Sequence, residues 1–261
     1  SSSSNITVSS SGANNQSVSV SGTCISSGIP ANYYSTASGN GALLKTQLHN
    51  IIKTHNRRSY TQLWTDYQTT DKKFNGKVWD MYSDRPCDSS LYEYTFVTNQ
   101  CGTYTQEGNC YNREHTIPDS WWGGSTTDSM YTDLFNVIPT DGYVNGQRGN
   151  YTFGTVGSAS YTSTNGSKRG SCNYPGYNGV QGIVFEPIDE YKGDFARIFF
   201  YMITRYESRI PQWATFANAA DALDGSKYPG FKPWQLNLLL EWHNNDPVDQ
   251  KEINRNNAVY S

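Results

Sequence analysis

Asn112-Arg113-Glu114-His115-Thr116-Ile117-Pro118 is the stretch on which the reading of this chain turns. It sets an imidazole directly after a carboxylate, in a run whose proline ends any strand that enters it. Successive strand residues face opposite sides. Glu114 and His115 therefore reach one site only where the strand stops or bends, and Pro118 marks such a place. Two further stretches complete the pattern: Asp133-Leu134-Phe135-Asn136-Val137-Ile138-Pro139, and Val144-Asn145-Gly146-Gln147-Arg148.

Working outward, Cys110–His115 and Leu134–Ile138 read as short strands separated by a loop, Asp119–Asp133, which holds Trp121-Trp122. Thr140 is placed to cap a helix that begins at Asp141 and carries Tyr143, Val144, Asn145 and Arg148. Upstream, Leu43, Leu44, Leu48, Ile51 and Ile52 form one helical face from Gly41, with Lys45, His49 and Lys53 outside it. His49 and His55 then read as solvated. A second short helix packing on the first starts near Tyr60 and Leu63. Val78–Tyr82 and Tyr92–Val97, rich in aromatic and β-branched residues, read as strands. Residues 154–182 read as loop, Ile183–Pro187 as a strand, and Asp194–Ser208 as a buried helix. Two last helices, Trp234–Asn244 and Val248–Tyr260, are separated by Asp246-Pro247, with Pro247 in the first turn of the second. Residues 1–30, rich in Ser, Asn and Gly, with a weak alternation at Val18–Ser21, read as a flexible leader or linker or as the remnant of a small upstream β module; residues 31–261 read as one domain.

The 261 residues suffice for a sizeable core. Charged residues are 16%, aromatics 14%, and the mean hydropathy is −0.69, a polar but foldable balance. The apolar run Ile198–Ile203 is too short to span a bilayer. A net charge of −3 argues against holding nucleic acid by global electrostatics. A bound cation would supply the positive charge locally. Cys24, Cys87, Cys101, Cys110 and Cys172 lack zinc-ribbon or CxxC spacing, and with the polar composition they suggest an exported protein with one or two disulfides. Cys101 with Cys110 and Cys87 with Cys172 is one pairing, leaving Cys24 free; zinc on Cys101, Cys110 and His115 is the rival. The chain opens at Ser1 with no apolar signal, as in a processed form, so export is inferred from composition.

Arg113-Glu114-His115-x-x-Pro118, Asp133-Leu134-x-Asn136-x-x-Pro139 and Val144-Asn145-Gly146-x-Arg148-x-Asn150-Tyr151 follow one another closely. Further on come Phe185-Glu186-Pro187, Lys192–Arg197 with Phe200-Tyr201-Met202, and Trp242-His243 through Asp246–Asp249. From about Gly41 to its end the chain resembles the endonuclease I family, secreted and periplasmic non-specific nucleases of the His-Me finger superfamily. The resemblance implies an α+β fold, with a ββα-metal finger set in a helix-rich domain. It implies His115 as general base, Glu114 and Asn145 as ligands of one Mg²⁺, Asn136 as support of the finger, and Arg148 on the metal-binding helix. Glu114, His115, Asn136 and Arg148 are then the catalytic set, with Mn²⁺ or Ca²⁺ as substitute ions. Imidazole is neutral near pH 7, and Mg²⁺ prefers oxygen while keeping several waters. Hydrolysis of DNA, and of RNA as a second substrate, would leave 5′-phosphate and 3′-hydroxyl ends, with contacts to the backbone rather than the bases. A monomer is expected.

Some relatives of that family carry, between the finger strands, a longer segment with an Arg that reaches the phosphate, whereas Asp119–Asp133 has no Lys or Arg. Arg148 is the first substitute and Arg113 the second. Glu186, Asp189 and Glu190 could form a glycosidase pair, but pairing of Glu186 and Asp194 with Lys192 or Arg197 is simpler. Trp121-Trp122 reads equally as base-stacking or as packing. The rivals are a catalytically silent nucleic-acid-binding module and a glycan-binding protein.

Overall fold

The computed structural model describes residues 2–8, 16–22, 29–86 and 88–260. Strands β1 (Ser2–Val8) and β2 (Gln16–Gly22) pair antiparallel, with Ile6 opposite Val18. Residues 1–30 thus contain a strand pair. Helices α1 (Gly41–Ile52) and α2 (Leu63–Thr70) follow. Next come β3 (Tyr111–His115), β4 (Val137–Asp141) and α3 (Gly142–Arg148). A three-stranded antiparallel sheet is built from β5 (Val156–Thr162), β6 (Lys168–Cys172) and β7 (Ile183–Glu186) in that order. The chain closes with α4 (Lys192–Arg205), α5 (Ile210–Trp213), α6 (Pro233–Asn245) and α7 (Gln250–Tyr260). This is an α+β fold.

Helix α4 packs on α6 and α1. Its Phe195, Phe199 and Met202 are fully buried with Phe153, Phe185, Trp121 and Leu238 in the larger core. A smaller core holds Leu63, Tyr67, Val78, Tyr94, Tyr111 and Val137. The β3–β4 hairpin separates the two. Opposite residues of an antiparallel pair share a face: Glu114 pairs with Ile138, which faces the large core, and His115 with Val137, which faces the small one.

Several expectations are corrected. Helix α1 forms as expected, but its packed face is rotated: Leu43 is exposed while Lys45 is buried. His49 Nδ1 lies 2.7 Å from the carbonyl oxygen of Arg205, in the last turn of α4, where helical carbonyls lack intrahelical partners. His55 contacts Arg205. Neither histidine is simply solvated. Helix α2 packs on α7 and on Tyr111 rather than chiefly on α1.

Val78–Tyr82 and Tyr92–Val97 are not strands. Only Val78 N–H to the Tyr94 carbonyl (3.0 Å) links them, and Asp80 folds the first into a turn by accepting from Tyr82 N–H and Ser83 Oγ. Their aromatics anchor cores from irregular backbone. Conversely, residues 154–182 hold β5 and β6, joined through a turn at Asn165-Gly166, where Gly166 has φ +107°. Asn-Gly between polar alternating runs was the missed signal. Helix α7 starts after Pro247, with Asp249 accepting from Glu252 N–H (2.9 Å) as cap.

Cys101 and Cys110 are disulfide-bonded, with Cα atoms 5.5 Å apart, which removes the zinc reading. Cys24 and Cys87 lie outside the described residues, as does a Cys87–Cys172 pairing. No helix among the described residues is long and apolar enough to cross a membrane.

Candidate active site

Strand β4 begins three residues later than the sequence suggests, and the cap of α3 is Asp141 rather than Thr140. Its Oδ1 accepts from Val144 N–H (2.9 Å), and its Oδ2 takes the hydroxyls of Tyr92 and Tyr94 and the N–H of Gly108. The backbone N–H of Asp141 donates to Asp80 (2.8 Å). Beneath α3, Tyr104 from the disulfide-closed loop lies so close that a Cβ on Gly142 or Gly146 would come within 2.6 or 2.8 Å of it. Helix α3 is thus pinned from both sides against β3.

Two rungs join β3 to α3. Asn145 Nδ2 donates to Asn112 Oδ1 (2.8 Å), and Arg148 Nη1 donates to Glu114 Oε1 (2.7 Å). Residues 112 and 114 share a strand face, and residues 145 and 148 share a helix face. Glu114 and Asn145 therefore sit at neighbouring rungs of one interface. Glu114 is buried, and Tyr82 donates a second hydrogen bond to the same Oε1 (2.8 Å). Burial pushes its pKa up to about 7, opposed by the Arg148 charge and the Tyr82 hydroxyl. Glu114 Oε2 and Asn145 Oδ1 take no hydrogen bond among the described residues. Both are hard oxygen donors, the kind that suits Mg²⁺ or Ca²⁺. No set of three or more His, Cys, Asp or Glu side chains able to hold a metal occurs among the described residues.

His115 occupies the other face. It is the last residue of β3, where the strand ends, yet Glu114 and His115 still face opposite sides of that strand. Its ring stacks on Tyr131 (4.8 Å between centroids) and Tyr60 (6.1 Å), with Trp122 edge-on. Nε2 lies 2.9 Å from the Tyr131 carbonyl oxygen. A carbonyl only accepts, so Nε2 carries the hydrogen, and the neutral ring keeps its lone pair on Nδ1. Burial lowers the pKa of the ring. Arg148 bridges the faces, since Nη1 also donates to the His115 carbonyl (2.9 Å) and Nη2 to that of Thr116. The charge of Asp119 acts on both Glu114 and His115.

Asn136 is fully buried and staples the exit of β3 to the entry of β4. Its Oδ1 accepts from Ile117 N–H (2.8 Å), and its backbone carbonyl accepts from Thr116 N–H (2.9 Å). Arg148 is fully buried and directed at protein groups, so it is no phosphate clamp. Arg113 lies 3.5 Å from the Tyr60 ring centroid and 4.3 Å from that of Trp64, with Nη1 on the Tyr60 carbonyl. Neither expected clamp is available. Trp121 and Trp122 are buried packing residues. Lys192 holds Glu186 and Asp189 together, and Asp194 pairs with Lys251, which leaves no glycosidase pair. Tyr82, Asn112, Asp119 and Tyr131 were missed. Spacing could have offered Asn112, two positions before Glu114, but a backbone carbonyl such as that of Tyr131 leaves no trace in side-chain identity.

The family model described as Endonuclease I matches residues 40–261. The chain belongs to the endonuclease I family. It is 33% identical over 239 residues to an extracellular ribonuclease of Bacillus amyloliquefaciens, covering 87% of this chain and 70% of that protein. It is 31% identical over 229 residues to an extracellular ribonuclease of Bacillus subtilis (strain 168), with the same coverage. As an endonuclease I family member the chain is an enzyme acting on nucleic acid, and Glu114, His115 and Asn145 all fall within the matched region.

Proposed function

We propose that this endonuclease I family member is an exported, divalent-metal-dependent endonuclease that hydrolyses RNA and DNA without base specificity. The orientation of His115 carries this reading. With Nε2 tied to the Tyr131 carbonyl, Nδ1 is the atom that accepts a proton from water, and the aromatic surroundings that lower the ring's pKa keep it in the accepting form at neutral pH. Glu114 Oε2 and Asn145 Oδ1 are the donors that would hold Mg²⁺, with Mn²⁺ or Ca²⁺ as substitutes, and Asn112 turns the Asn145 amide so that oxygen, not nitrogen, is presented. When bound, the cation supplies charge neutralisation at the phosphate and the leaving 3′ oxygen. Arg148 and Asn136 act on the frame: one holds Glu114 and the His115 backbone, the other holds the strand exit. The hairpin and α3 together then serve as the ββα-metal finger.

Water rather than a 2′ hydroxyl is the nucleophile, so the sugar does not limit the substrate and the products carry 5′-phosphates. The ribonuclease names of the relatives favour RNA as a substrate, and their description as extracellular, with the Cys101–Cys110 disulfide, favours export. The test is cleavage of RNA and of plasmid DNA with Mg²⁺, with EDTA, and by His115→Ala. EDTA should abolish cleavage, and the variant should lose about 10²–10⁴-fold in rate. Cleavage in EDTA, or 2′,3′-cyclic phosphate products, would overturn the mechanism.

A further inference from the structure

The loop between β3 and β4 holds no Lys or Arg, and Arg148 and Arg113 are spent on protein groups. The turn at 126–128 is instead gripped from outside by two guanidinium groups. Arg57 Nη2 donates to the carbonyl oxygens of Thr126 (3.1 Å) and Asp128 (3.3 Å). Arg209 Nη2 stands 3.6 Å from the Asp128 carboxylate, with 48% of its side chain exposed. The Asp128 carbonyl also accepts from Tyr131 N–H (3.2 Å), and the Tyr131 carbonyl holds His115. Both cations are therefore one short turn from the imidazole.

They are also under-neutralised. Arg57 is exposed, and its Nε and Nη1 have no partner among the described residues. Arg58, by contrast, is closed off by Asp66 at 2.6 and 2.8 Å. Asp128 is the carboxylate paired within this group. The result is a local positive tract on a chain of net charge −3, which is where a polyanion would be drawn.

We infer that Arg57 and Arg209 form a contact tract for phosphates flanking the scissile one on a nucleic-acid strand. This rests on the nuclease reading above. The tract lies on the Nε2 side of His115, away from the lone pair on Nδ1, so it holds neighbouring phosphates rather than the reacting one. Its work is equilibrium binding, set by ion release.

The test is fluorescence anisotropy of a labelled short single-stranded RNA, in EDTA to stop cleavage, across a salt series. Arg57→Ala and Arg209→Ala should each weaken binding several-fold at low salt. Each should also reduce the slope of log K against log[salt] by about 0.7. Arg57→Gln keeps a donor for the Thr126 and Asp128 carbonyls but removes the charge, and should match Arg57→Ala in slope. Arg57→Lys should retain the slope, as should Lys168→Ala, an exposed cation on β6. A double variant with unchanged Tm and unchanged slope overturns the tract while leaving the nuclease reading intact. So does a loss in Arg57→Ala that Arg57→Gln fully restores, because the residue would then only pin the loop. Wild-type protein that neither binds nor cleaves nucleic acid overturns both.

Discussion

The two faces of β3 are held by opposite means. On one, Asn112 and Glu114 meet Asn145, Arg148 and Tyr82 through hydrogen bonds of 2.7–2.8 Å, in a buried, charged interface. On the other, Arg113 and His115 lie in a ladder of rings made by Trp64, Tyr60 and Tyr131. The first face keeps a carboxylate and an amide in fixed orientations. The second withdraws water from an imidazole and so disfavours its charged form. A single alternating strand thereby gives the two residues different surroundings: Glu114 is buried among hydrogen-bonding partners and His115 among rings.

Different perturbations should break the two faces differently. Glu114→Leu leaves the Arg148 guanidinium buried without its carboxylate, so a loss of about 3–5 kcal/mol of stability is expected in chemical denaturation. His115→Phe keeps an aromatic ring in the ladder and should cost less than about 1.5 kcal/mol, although it removes the base. Equal losses in the two variants would mean that the faces are not held differently. Next in size, Asn112→Leu frees the Asn145 amide to turn. Loss of a partner that orients a ligand should weaken metal binding about 10–100-fold, measured by calorimetry on folded protein; unchanged affinity would remove Asn112 from this role.

A pH-dependent effect concerns Asp80, the buried anchor under the N-terminus of α3. Burial, then the charge of Asp141, pushes its pKa up to about 8. The native state therefore holds a proton that the unfolded chain, with a carboxyl pKa of about 3.9, releases in the same range. Its contribution is complete below about pH 4, is lost as pH rises, and is gone above about pH 8. Tm should fall across that window, and less steeply in Asp80→Asn. Parallel profiles for the two proteins would show that Asp80 is ionised throughout.

Much of this was legible beforehand for a definite reason. Strand β3, α3 and α4 were readable because local periodicity, a proline stop and an apolar stripe coincide with how these segments pack. The segments at Val78 and Tyr92 were misread because large aromatics look strand-like wherever a core needs anchors, and backbone pairing cannot be inferred from them. Helix α1 was assigned correctly but turned wrongly. Its His49 turns inward onto the unpaired carbonyls at the end of α4 and its Lys45 donates to the Lys227 carbonyl, and no window around Gly41–Ile52 contains that information.

By itself, the sequence determined the family, the α+β class, the adjacency of Glu114 and His115 and the later arrival of Asn145 and Arg148, since these depend on residue identity and order. Only the tertiary structure decided that Arg148 is a buried strut rather than a clamp, that the Tyr131 carbonyl selects the tautomer of His115, and that Arg57 and Arg209 flank the loop. Those outcomes depend on which backbone atoms and distant side chains end up within about 3 Å of one another, and chain packing alone sets that.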